Sequence, residues 1–85
     1  MAWTYLLRCA DGNFYTGWTL DLQARLAAHN AGKASRYTRS RLPVTLAYLE
    51  EWPTESEARR REPVLRRLSH ACKEALCRRQ ASLRT

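Results

Sequence analysis

The sequence predicts an α+β domain: a small three-stranded antiparallel sheet, made of an N-terminal β-hairpin plus one later strand, flanked by about three helices. Three observations predict it. The β-rich run Trp3 to Cys9 is followed by the hairpin signal Asp11-Gly12 and a second short run, Phe14 to Trp18. A third run, Val44 to Trp52, is β-branched at its start and partly alternating. Helix-start chemistry stands at Thr19/Asp21 and again at Thr54-Glu-Ser-Glu57.

The hairpin register decides what its two tyrosines share. A two-residue Asp11-Gly12 loop sets Ala10 opposite Asn13 and puts Tyr5 and Tyr15 on opposite faces. A three-residue loop, Asp11-Gly12-Asn13, sets Ala10 opposite Phe14 and puts both on one face, with Asn13 tolerating the left-handed conformation. Either register is open to this sequence. Beyond Gly17, Thr19 or Asp21 caps a helix through about Asn30, with Leu22 and Leu26 as its apolar stripe and Gly32 as its stop. Arg25 and His29, four apart, project from one face of that helix. Residues 33–43 read as a basic, aromatic-bearing loop ending at Pro43. After the third strand, Pro53 stops the pairing and the capping box at Thr54 opens a helix that Pro63 must kink or end. Ser69 caps a last helix through about Gln80, with Ala71, Leu76 and Cys72 as its apolar face and a fraying tail beyond. No repeat or linker interrupts the chain, so residues 1–85 read as one domain with a core over about 3–80.

The composition, 45% apolar and 27% charged, is that of a folded domain, and no segment approaches the roughly 18 to 20 apolar residues of a membrane span. The N-terminus leads into a strand-like run instead of a basic patch and an apolar h-region, so no signal peptide is expected. Cys9, Cys72 and Cys77 are odd in number and lack zinc-site spacing, which implies reduced thiols and a cytoplasmic location. Fifteen Lys and Arg against eight Asp and Glu give +7, a balance that favours a polyanionic partner. The charge is concentrated: Lys33, Arg36, Arg39 and Arg41 lie in one acid-free stretch, and residues 63–85 carry a second basic block.

A phosphodiester hydrolase needs a base for water, positive charge near the non-bridging oxygens and stabilisation of the departing alkoxide. Tyrosine serves as a base only when its pKa falls from about 10, and guanidinium, imidazolium or metal charge favours that fall. Arg25 and His29 are placed to supply it. Singly these residue types are ordinary: tyrosines suit strands, and Glu62 has Arg59 and Arg66 within helical reach. Gly17 fits a bulge or a close backbone approach beside a site. The stretch Lys33 to Arg41 interleaves charge, hydroxyls and the ring of Tyr37, which suits phosphate contacts with one stacked base and steep salt dependence.

Taken together and in order, these residues resemble the GIY-YIG nuclease superfamily, in particular its small standalone bacterial members and the catalytic domain of Slx-type structure-selective endonucleases. The first triplet falls on Thr4-Tyr5-Leu6, keeping only its tyrosine, and the second on Tyr15-Thr16-Gly17. Arg25-Leu-Ala-Ala-His29-Asn30, Gly32-Lys33 and Glu62 after an alanine-led helix complete the match over roughly residues 3–68. The resemblance implies a DNA endonuclease, on branched, nicked or single-stranded substrates in repair or recombination, with RNA also open. It implies one Mg²⁺ or Mn²⁺ on Glu62, Arg25 on the phosphate, Tyr5 and Tyr15 as base and positioning group in either order, His29 assisting, and Gly17 shaping the site. Lys33, Arg36, Tyr37, Arg39 and Arg41 then contact nucleic acid, and the protein is expected to be a monomer. Three departures stand out: Trp18-Thr19 replaces a lysine common after the second triplet, no asparagine follows Asn30, and Pro63 adjoins Glu62. They leave two alternatives, a non-catalytic nucleic-acid binding module and a subunit that needs a protein partner.

Overall fold

The structure is a computed structural model that describes residues 1–83. In chain order it runs β1 (Ala2–Arg8), β2 (Phe14–Thr19), α1 (Leu22–Asn30), α2 (Arg36–Arg39), β3 (Thr45–Trp52), α3 (Glu55–Arg66) and α4 (His70–Leu83). The strands form one antiparallel sheet in the order β2-β1-β3. The α+β architecture and the hairpin-plus-one sheet are as expected, with one helix more. Among the described residues no helix is long and apolar enough to cross a membrane.

The hairpin takes neither anticipated register. Tyr5 faces Gly17 and Arg8 faces Phe14, and the Cys9 N–H donates to the Asn13 carbonyl at 2.8 Å, leaving Ala10-Asp11-Gly12 as the loop. The left-handed residue is Gly12, at φ 86°, and not Asn13, because glycine adopts that region with no Cβ to clash. Asn13 is held instead by the Asp11 carboxylate, which accepts from its N–H at 3.0 Å. A loop of three residues keeps the parity that puts both tyrosines on one face, and their ring centroids are 6.5 Å apart.

That face carries Tyr5, Leu7 and Cys9 with Val44, and Leu22 and Leu26 of α1 close over them together with Leu46 and Leu49. Asp21 starts α1 by accepting from the Ala24 N–H, and Gly32, at φ 75°, ends the turn after it. The opposite face buries Leu6 and Phe14 against Cys77 of α4, and Thr4 ties α3 to β1 by donating to the Ala58 carbonyl at 2.8 Å. Each fully buried leucine contributes about 1.5–3 kcal/mol relative to exposure.

Two further expectations are corrected, and that for Pro63, a kink or an end, is narrowed. Residues 36–39, read as loop, form α2, because the Ser35 side chain accepts from the Tyr37 N–H and caps the turn. Pro63 does not end α3: it lies in the last turn, so it removes one N–H while its own carbonyl still accepts from Arg67 at 3.2 Å. On α4, capped by Ser69, Ala71 and Cys72 are exposed, and Cys77, Leu76 and Gln80 turn inward. Gln80 sets that rotation: its amide accepts from the Leu49 N–H at 2.9 Å and donates to the Leu49 carbonyl at 2.6 Å, on the open edge of β3. The helix continues to Leu83, past the expected end at Gln80; residues 84 and 85 of the expected frayed tail lie outside the described residues. All three cysteines are free thiols.

Candidate active site

The site begins with a missing side chain. Gly17 is paired with Tyr5 across the hairpin, and a Cβ at Gly17 would lie 2.5 Å from the Tyr5 hydroxyl and 2.7 Å from the ring carbon bearing it. The Tyr5 ring therefore lies across the backbone of Gly17, and the glycine is required for space, not for an unusual backbone angle. Burial, reinforced by Tyr15, pushes the Tyr5 phenol above its ordinary pKa against the pull of Arg25.

His29 is fully buried on the last turn of α1 and meets Tyr5 edge-on. Its Nε2 is 3.0 Å from the Tyr5 hydroxyl, and its Nδ1 is 2.9 Å from the Thr38 Oγ1. Thr38 donates its only hydroxyl proton to the Ser35 carbonyl at 3.3 Å, so it accepts from His29 Nδ1–H. The proton arrangement follows: Nδ1 carries the hydrogen, Nε2 is an acceptor, and Tyr5 donates to it. Burial, then the Arg25 charge, holds the His29 imidazole below its ordinary pKa, which keeps Nε2 free of a proton.

Tyr5, Tyr15, Gly17, Trp18, Arg25 and Glu62 line one cleft of about 200 Å³. The sheet supplies four of them, α1 supplies Arg25 and α3 supplies Glu62, so the cleft lies at the open edge of β2. Five of the six expected site residues thus line it directly, and His29 stands behind Tyr5. Arg25 is exposed at the cleft, whereas His29 on the same helix is buried, so the shared face divides into an outer cation and an inner acceptor. Glu62 is nine-tenths buried and pairs with Arg66 one turn later. Its Oε2 accepts no hydrogen bond among the described residues.

The donor set fits a hard divalent ion only as a partial shell. Among the described residues no cluster of three His, Cys, Asp or Glu could enclose a metal. Glu62 with two phenols in the cleft suits an ion that keeps most of its waters or takes substrate oxygens, the usual habit of Mg²⁺.

The expected nucleic-acid residues separate into two groups. Lys33, Arg36 and Arg39 are exposed, and Tyr37 lies 6.1 Å from Tyr15, centroid to centroid. Arg41 is engaged within the fold: it stacks 3.9 Å from the Tyr37 centroid, donates to the Tyr37 carbonyl at 2.9 Å and pairs with Asp11 at 3.0 Å. Sequence reasoning missed Thr38, the partner of His29, which had no signal while residues 36–39 read as loop. It also missed Trp18 as a cleft wall, and Asn30 as a clamp that donates to the Val44 carbonyl and accepts from its N–H.

The sequence profile of the GIY-YIG catalytic domain matches residues 1–75. The chain belongs to the GIY-YIG family. This GIY-YIG domain is 53% identical, over 72 residues, to a UPF0213 protein of Halobacterium salinarum, covering 85% of this chain and 94% of that protein. It is 49% identical to a UPF0213 protein of Streptococcus sanguinis, covering 87% and 85%. The solution NMR structure of a UPF0213 protein from Bacillus halodurans is similar with a TM-score of 0.54 at 40% identity, covering 89% of this chain and 82% of that one. That of a protein from E. faecalis gives 0.57 at 37%, covering 86% and 78%. GIY-YIG domains are nuclease domains that act on nucleic acid and generally use divalent metals. The family's triplets, with tyrosine closing the first and opening the second, fit Trp3-Thr4-Tyr5 and Tyr15-Thr16-Gly17, so the first lies one residue earlier than Thr4-Tyr5-Leu6.

Proposed function

We propose that this GIY-YIG domain is a monomeric, cytoplasmic endonuclease hydrolysing DNA phosphodiester bonds at branched, nicked or single-stranded sites in repair or recombination, residues 1–85 forming its one working domain. The observation that carries this reading is the convergence, in one cleft, of a phenol with somewhere to send its proton, an exposed guanidinium and a buried carboxylate. Tyr5 is the base of choice over Tyr15, because its hydroxyl already donates to the unprotonated Nε2 of His29. As water attacks phosphorus, its proton passes to the Tyr5 oxygen while the Tyr5 proton passes to Nε2; the bond from phosphorus to the leaving sugar oxygen breaks, and that oxygen takes its proton from solvent. Thr38 accepts from Nδ1–H and so steadies the imidazolium that forms. Arg25 holds the phosphate and its developing charge, a task suited to a permanently charged planar fork. Tyr15 orients the water. Glu62 would hold Mg²⁺ or Mn²⁺, which when bound supplies Lewis-acid charge at the phosphate.

The Glu62–Arg66 ion pair, with Trp18 where a lysine is common, favours a second reading: a nucleic-acid binding module without turnover. One experiment separates the two. Labelled single-stranded, flap, nicked and four-way DNA is incubated with Mg²⁺ or Mn²⁺ at low salt, comparing wild type with Glu62→Ala. Metal-dependent cutting by wild type alone, with both proteins binding, is the expected result. Salt-sensitive binding and no cutting by either overturns the enzyme reading in favour of the module.

A further inference from the structure

A second pocket, of about 250 Å³, adjoins the catalytic cleft and is lined by Phe14, Tyr15, Thr16, Tyr37, Arg66 and Lys73. Two residues join the cavities: Tyr15 lines both, and Arg66 lines this pocket while pairing with Glu62 in the other. Three of the six lining residues are aromatic, two are cations, and none is acidic. This is an apolar space with positive charge on the side towards the catalytic carboxylate.

The aromatic walls are held rigidly. Phe14 is almost wholly buried, with the Arg8 guanidinium 4.6 Å from its centroid and His70 packed at 5.1 Å. Tyr37 is more than a third exposed, yet Arg41, which does not line the pocket, stacks on its ring and bonds its carbonyl while anchored to Asp11. Such preorganisation lowers the ordering cost of a ligand that stacks there. Thr16 completes the lining; its hydroxyl is buried beneath the surface and has no hydrogen-bond partner among the described residues. Burial, then the neighbouring Arg66, disfavours the charged form of Lys73, a strain that an arriving anion relieves.

We propose that this pocket receives one unstacked nucleobase from the nucleotide next to the scissile phosphate, with Arg66 and Lys73 on the flanking phosphates. The assignment rests on the nuclease reading and narrows its substrate class. A base inside an intact duplex cannot enter a lateral pocket without leaving its stack, so the preferred DNA carries an unpaired nucleotide at the cut: a single strand, a flap or a frayed junction. It also gives Arg66 two successive partners, Glu62 in the free protein and a phosphate in the complex.

The test measures binding alone, in EDTA, so it does not depend on turnover. Fluorescence anisotropy of the full chain is compared on a twelve-nucleotide oligothymidylate, an abasic strand of the same length and charge, and a duplex of equal length. Stacking contributes about 1–3 kcal/mol per base, so wild type is expected to bind the oligothymidylate roughly 5- to 150-fold more tightly than the abasic strand. Tyr37→Leu should weaken oligothymidylate binding far more than abasic binding and so shrink that preference, whereas Lys73→Gln should weaken both single strands alike. Circular dichroism checks that the variants fold; should Tyr37→Leu not fold, the wild-type preference decides. Equal wild-type affinity for the two single strands, failure to bind either, or an equal loss on both with Tyr37→Leu overturns the pocket. None of these results bears on cleavage by the catalytic cleft, which is scored in metal.

Discussion

Two phenols on adjacent strands invite comparison. Tyr5 of β1 and Tyr48 of β3 sit on opposite faces of the sheet, since Tyr5 pairs with Leu49 and Tyr48 with Leu6. Burial raises the pKa of both, that of Tyr48 to about 12 with the help of Glu50. Their partners differ. Tyr48 donates at 2.6 Å to Glu50, a carboxylate already gripped at both oxygens by Arg61 at 2.9 and 3.0 Å, so every charge is spent within the fold. Tyr5 donates to a neutral imidazole whose other nitrogen is committed to Thr38, and its ring opens onto a cleft containing Arg25 and Glu62. A perturbed phenol is therefore not in itself a mark of chemistry; a vacant proton acceptor behind it and a charged cleft before it are.

The widest separation between the two phenols should appear in turnover. Tyr5→Phe is expected to lower single-turnover cleavage of flap DNA by about 100- to 10,000-fold, while Tyr48→Phe leaves it within a factor of two; equal losses would erase the distinction. Next in size, His29→Ala opens a cavity and strands the Tyr5 and Thr38 hydroxyls, lowering stability in urea by about 2–4 kcal/mol. Gly17→Ala should lower it by about 1–3 kcal/mol, because the new methyl displaces the Tyr5 ring. Tyr48→Phe, read in the same urea series, should lower it by about 1 kcal/mol. The smallest effect is on pH dependence. Because the folded His29 pKa lies below the ordinary value of about 6.5, the unfolded chain takes up the proton first. Stability is then full above that pH and falls below it until the folded His29 also protonates; thermal melts of His29→Gln should lack that slope.

The residues that gather at the candidate cleft were legible in the sequence because they lie at fixed local offsets: Arg25 and His29 one helical turn apart, Tyr15 and Gly17 on one strand face, Glu62 beyond the capped start of α3. Hairpin parity was within reach, but the loop moved by one residue because Gly12 outcompetes Asn13 for the left-handed position. The 36–39 helix was hidden because one turn has no periodicity, and its evidence is a single Ser35 cap. The inward side of α4 was misread because apolar spacing is weak there and an amide, Gln80, sets the rotation. Nothing in residue order indicates that Arg66 and Lys73 join Tyr37 around one space, since that depends on how α3 and α4 pack beside the hairpin.

Gln80 also has a meaning for the company this domain keeps. At the middle of β3 its side chain occupies the donor and acceptor of Leu49 that an incoming strand would use, so the sheet meets an imitation of a fourth strand that ends after one residue. The other margin, β2, borders the cleft. One margin is thus capped at its middle by a single amide, and the other is left to border the candidate cleft.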